Sequence, residues 1–330
     1  MKRSLFMVVV ALLALAAPVA PEGATAQQAT ELRIATVAPE GSPWMRVFRA
    51  WDQELRQRTN GQLGLRFYPG GSQGQEPDYI DKMRAGQLDG AAVTSTGLGQ
   101  IVRPVLVLSA PGIFSEYAQL DRVRRRLARR FEQQFHRNGY ELLGWGDVGK
   151  GRLFSTHRIE RPADLRARRP WVPRTDAVFS EFLSVVGANP RRLGIPEVYP
   201  ALQTRMVDTV PASALAAVSL QWYTRLRYFS SDASGVLIGA TILKKEKMDA
   251  LPADQQAALR ETGQRAHRLL TRAIRREDER SLRVIQRRLE AVDGSAHQAE
   301  WEQAFEQTRN RLAGRVYPRA LLDAVIRAAE

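Results

Sequence analysis

The sequence predicts an α/β fold in two domains, and three observations carry that prediction. Strand-like and helical runs alternate over residues 31–95, the pattern of parallel strands covered by helices. A chain of 330 residues with 44% hydrophobic residues exceeds one average domain and can bury more than one core. Residues 252–292 hold a helical period with no proline after the opening Pro252, and at ~1.5 Å per residue such a helix spans on the order of 60 Å, enough to lie across two domains.

The elements follow in order. ELRIATVAP (31–39) alternates as a short strand. Residues 41–61 read as a helix, with Ser42 as N-cap, Pro43 in the first turn and Gly61 beyond the end. A strand at 62–70, a helix at 77–87 and a strand at 88–95 complete the first alternation. DRVRRRLARRF (121–131) is helical, and its arginines read as a solvated face. Residues 140–156 supply two apolar strand segments around a Gly-rich crossing, and 168–173 a further short strand. Helices are expected at 175–187, closed by Gly187, at 195–206, and from 214 to 227, with 235–245 returning to strand. No internal repeat or low-complexity segment interrupts the chain.

The first 26 residues have the form of a secretory leader: Lys2 and Arg3, an apolar run from Leu5 to Ala17, and a small-residue site at Ala24-Thr25-Ala26. The apolar run is too short for a membrane span, so cleavage after Ala26 and a soluble periplasmic protein are expected. There is no cysteine, which removes disulfides and thiolate chemistry. The four histidines are far apart, without metal-ligand spacing, and no nucleophile elbow, phosphate loop or dinucleotide fingerprint occurs. The carboxylates of Glu277-Asp278-Glu279 lie on the long helix, where ion pairs one turn apart account for them. No enzyme, cofactor or metal is therefore expected. The net charge of +14 is spread along the chain and does not suggest nucleic-acid binding in an exported protein.

Four stretches carry a resemblance. They are ATVAPEGSPW, FYPGGSQGQEPDYIDKMRAGQLDGA, RIERPADLRARRPWVP and GANPRRLGIPEVYPALQTRMVDTV. Together they resemble the DctP-like solute-binding subunits of tripartite ATP-independent periplasmic (TRAP) transporters, across nearly the whole mature chain. The resemblance implies two α/β lobes that close on a small ligand, each with a mainly parallel sheet, and one long helix spanning both. It places residues 31–147 and 236–270 in lobe I, 148–235 and 280–330 in lobe II, and 252–292 in the bridging helix. It further implies a monomeric receptor that delivers its ligand to membrane transporter subunits.

The same resemblance marks a departure. Where the family motif carries an arginine that pairs with the ligand's carboxylate, this chain has Trp171. Polar residues that usually follow the VDTV-like stretch are replaced around Pro211 and Ala212. The site thus looks remade for a solute other than a simple carboxylate. An organic acid and an apolar or amphipathic molecule remain competing ligands. A lipid-like carrier, or an accessory protein of an envelope efflux-type complex, is the alternative to uptake. The candidate ligand-binding residues are Trp171, Asp208, Thr209, Ala212, Ser95, Thr96, Trp44, Lys150, Arg152 and Trp222. Ser95 and Thr96 follow a strand end, where ligands of open α/β sheets sit. Lys150 and Arg152 flank Gly151 and either hold an anion or are solvated charge. Trp171 is expected to wall the cleft, with core packing as the other reading, whereas Trp222 follows an apolar helical stripe that favours core.

Overall fold

The computed structural model describes residues 29–330. The expected leader lies outside them. Ten strands are found among these residues: β1 (Thr30–Thr36), β2 (Leu63–Tyr68), β3 (Gly90–Thr94), β4 (Tyr140–Ser155), β5 (Trp171–Val172), β6 (Arg191–Arg192), β7 (Thr209–Ser213), β8 (Tyr228–Ser230), β9 (Gly235–Lys244) and β10 (Glu290–Val292). The helices are α1 (Pro43–Arg58), α2 (Glu76–Arg84), α3 (Ser95–Ile101), α4 (Tyr117–Arg137), α5 (Val178–Val186), α6 (Ile195–Gln203), α7 (Ala214–Ser219), α8 (Lys245–Asp249), α9 (Ala253–Gln286), α10 (Gln298–Leu312) and α11 (Arg319–Ala329). The start of α1 follows its sequence signals, since the Ser42 hydroxyl accepts the Met45 N–H and Pro43 opens the helix.

Lobe I is built on β2-β1-β3, paired in parallel, with helices on both faces. One face packs under α2, α4 and α11 through Tyr79, Phe131 and Leu321, and the other under α1 and α9 through Trp51, Leu259 and Ile274. Lobe II gathers a second pair of cores around Trp171, Trp222 and Phe229 and around Phe182, Leu165 and Phe305. The 34 residues of α9 touch both: Ala258 and Leu270 pack in lobe I, and Ile285 in lobe II.

The two lobes do not hold separate, mainly parallel sheets. One mixed sheet runs through both in the order β10-β8-β4-β9-β3-β1-β2, with β7 also on β4. The cause is β4. Instead of two segments, residues 140–155 form one 16-residue strand that pairs antiparallel with β9 along most of its length, then with β7 and β8. Two register shifts, at Leu142/Gly144 and Asp147/Gly149, bend it without breaking it. Its glycines are demanded by close packing. A Cβ at Gly144 would stand 2.4 Å from the His267 ring, and at Gly149, with φ of +121°, 2.6 Å from the Asp278 carboxylate.

Three further expectations change. The helix over 214–227 is interrupted, because Gln221 takes φ of +58° and separates α7 from a 3-10 turn at Trp222–Arg225. The last helix, α11, packs in the lobe I core rather than with lobe II. Arg124, within the arginine-rich stretch, turns inward instead of facing solvent, because Asp147 offers its carboxylate at 2.6 Å.

Candidate ligand site

The crossing strand β4 brings charge into the space between the lobes. Asp147, almost fully buried, is bracketed by Arg124 at 2.6 Å and by Arg275 at 2.7 Å, and Arg275 forks onto Asp121 at 2.6 and 2.7 Å. Burial alone would lower the basicity of Arg275, but the two carboxylates outweigh it and raise the guanidinium pKa. Further along, Asp278 of α9 accepts N–H groups from Lys150 and from Leu215, both at 2.9 Å, and the Tyr117 hydroxyl at 3.3 Å. It is thus a buried acceptor that ties α9 to β4 and α7, not a member of a surface ion-pair ladder. Its carboxyl is pushed up by burial.

Lys150 and Arg152 then part company. The Lys150 ammonium meets Glu116 at 2.8 Å and lies over the Tyr117 ring. Arg152 is only 8% exposed, its Nε has no hydrogen-bond partner, and no carboxylate among the described residues forms an ion pair with it. Burial lowers the basicity of its guanidinium, with Asp278 the largest opposing influence. An arginine remains a cation even so.

Arg152 lines a cavity of about 200 Å³ between the lobes. Ser95 and Thr96 enter it from lobe I, and Trp171, Ala212 and Trp222 from lobe II. Each is positioned by local structure. Glu76 accepts the Thr94 N–H at 2.8 Å, its hydroxyl at 2.9 Å and the Gly97 N–H at 2.7 Å, which fixes the turn carrying Ser95 and Thr96. Ala212 pairs directly with Arg152 across β4 and β7, so a small side chain flanks the guanidinium. The Trp171 indole donates to the Leu193 carbonyl at 2.9 Å and meets Trp222 edge to face, with centroids 5.2 Å apart. Both rings belong to the lobe II core and also wall the cavity, so the two readings of Trp171 and Trp222 coexist in one position.

Asp208 and Thr209 do not line the cavity. Asp208 accepts the Arg169 N–H at 2.8 Å and its Nε at 3.0 Å, and Thr209 is fully buried between Ser155 and Asp208. Their polar atoms hold the segment before Trp171 in place. Trp44 lines an adjoining cavity of about 110 Å³, its indole donating to the Asp147 carbonyl at 3.2 Å. Lys150 faces a second neighbouring cavity, of about 480 Å³, which shares Arg152, Phe179 and Phe182 with the first. Sequence reasoning missed Phe179 and Phe182 of α5, which wall the site, and Asp176 at its edge. Asp176 accepts the Ser180 N–H at 3.0 Å, and burial raises its carboxyl pKa. The spacing of Phe179 and Phe182 marked a buried face, but no pattern says which buried face borders a void.

Known proteins match this fold. Residues 34–314 fit a family model described as DctP, bacterial extracellular solute-binding protein, family 7. A solute-binding protein of Chromohalobacter salexigens is 24% identical over 289 residues, 86% of each chain. A TRAP periplasmic solute-binding protein of Shewanella oneidensis with bound succinate superposes with a TM-score of 0.86 at 17% identity, over 92% of this chain and 100% of that one. A TRAP solute-binding protein of Roseobacter denitrificans with bound β-D-glucuronate gives 0.81 at 20% identity, over 90% and 99%. At these identities the two structures establish the fold and leave the ligand open. No helix among the described residues is long and apolar enough to cross a membrane.

Proposed function

The chain belongs to the bacterial extracellular solute-binding proteins of family 7, and on that premise we propose that it captures a carboxylate-bearing solute at Arg152 and delivers it to a TRAP-type membrane transporter. The observation that carries this reading is the unpaired guanidinium. A buried cation without a partner is costly, and a ligand carboxylate is the partner that makes it favourable. Arginine suits the task because its planar fork donates two parallel hydrogen bonds to two oxygens. Ser95 and Thr96 add hydroxyls from the opposite lobe, so a bound anion touches both lobes and favours their closure.

Residues 31–147 with 236–270 act as one lobe and 148–235 with 280 to about 312 as its partner, with β4, β9 and α9 crossing between them. The protein acts by binding alone, in the periplasm, after removal of a leader ending near Ala26. Succinate and β-D-glucuronate are ligands of the structural relatives and serve as the first probes. The test is thermal-shift screening and calorimetry with a panel of carboxylates and the matching amides. Carboxylates should bind, amides should not, and Arg152→Gln should remove binding. Equal binding of amides, or full affinity in the Arg152→Gln protein, would sink the proposal.

A further inference from the structure

The site has a direction. The chamber beside Arg152 and the one beside Trp44 share Thr94, Val148, Ile195, Ala216 and Leu220 in their walls, so they adjoin. Arg152 is the sole cation lining the pair among the described residues. Beyond it the walls are aromatic and aliphatic: Trp171, Trp222 and Phe179 first, then Trp44 and Phe48. The remaining charged groups are acidic or already spent. Asp176 borders the first chamber and Glu76 the second. Asp147 is neutralised by Arg124 and Arg275. His267 reaches the second chamber with both ring nitrogens engaged, by the Gly263 carbonyl at 2.7 Å and the Thr241 hydroxyl at 2.8 Å.

We propose that the solute is an elongated amphipathic monocarboxylate, its single anionic head on Arg152 and its alkyl or aryl body running past Trp171 and Ala216 to end beside Trp44. This rests on the carboxylate-receptor reading and narrows it. One cation at one end accommodates one carboxylate. A second carboxylate on the solute would lie among apolar rings or beside Asp176 and Glu76, where desolvation and like charge both oppose it. Hydroxyl-rich sugar acids are disfavoured for a related reason, since few side-chain partners face the second chamber. Together the chambers reach the lower end of the usual range for small-molecule sites, about 300–1,000 Å³.

The experiment is a calorimetric series on the ligand-stripped full mature chain, using straight-chain monocarboxylates of increasing length, phenylalkanoates, succinate and glucuronate. Affinity should rise about fourfold per methylene until the second chamber is filled, then fall. Succinate and glucuronate should bind at least tenfold more weakly than the best monocarboxylate. Ala216→Phe should plug the passage and lower the ratio of long-acid to short-acid affinity at least tenfold. Should that protein fail to fold, Ala216→Leu makes the same test with a smaller plug. Tight, Arg152-dependent binding of succinate or glucuronate above every monocarboxylate would overturn this inference and leave the receptor reading intact. Affinity independent of chain length would also overturn it. Failure of every carboxylate to bind would overturn both.

Discussion

Two buried charges on β4, five residues apart, meet opposite fates. Asp147 is gripped by two arginines, one of which reaches on to Asp121. Arg152 is nearly as deep and has no carboxylate partner among the described residues. A third polar group near the same strand, His267, resolves its burial differently again, by staying neutral with a pKa held down to about 4. Three solutions to one desolvation problem lie side by side: pair the charge, abolish it, or leave it waiting. Folding selects the first two. The third suits binding, which is why the proposed function rests on the unpaired charge and not on the conspicuous paired network.

The contrast can be broken in four ways. Asp147→Ala leaves the buried Arg124 without a carboxylate and Arg275 with Asp121 alone, and should lower unfolding free energy by about 3 kcal/mol, read by chemical denaturation. A loss under about 1 kcal/mol would place Asp147 among dispensable surface charges. Arg152→Gln should act with the opposite sign: removing a buried, unpaired cation should leave the ligand-free protein as stable or more so, while raising the carboxylate Kd about a hundredfold or more. A lower melting temperature in the ligand-free variant would mean that the arginine is structural.

His267 tests the neutral solution through pH. Its folded pKa of about 4 lies below the ordinary value of 6.5, so its contribution is complete above pH 6.5 and is lost as pH falls from there to about 4. The loss is on the order of 3 kcal/mol, and His267→Gln should flatten the stability profile across that window. An unchanged slope would show that His267 does not control it. Lys150 offers the smallest effect. Its pair with the mostly exposed Glu116 should contribute under about 1 kcal/mol, so Lys150→Gln should barely change the melting temperature or carboxylate affinity. A strong loss of affinity would move the anion site toward the cavity that Lys150 faces.

Much of the fold was legible along the chain because its causes are local. Ser42 and Pro43 set the start of α1, Gly187 ends α5 with φ of +77°, and a proline-free apolar period gives α9 its length. The motif resemblance led to the family that residues 34–314 match. The site was legible only in part. Ser95, Thr96, Arg152, Trp171, Ala212 and Trp222 do meet at one cavity, while Asp208 and Thr209 share the same motif but point into the segment that supports it.

The sequence by itself determined the elements, the α/β alternation, the family and the residue types able to meet a ligand, because periodicity, caps and turn chemistry act over a few neighbours. Tertiary structure alone decided that β4 joins both lobes in one sheet, that Arg124 faces Asp147, and that Lys150 has a partner and Arg152 has none. Pairing of charges depends on residues brought together from distant parts of the chain: Arg275 lies 128 positions from Asp147. No local pattern records which carboxylate will arrive, and a guanidinium two residues from a paired lysine carries no mark in the sequence that it will be left open.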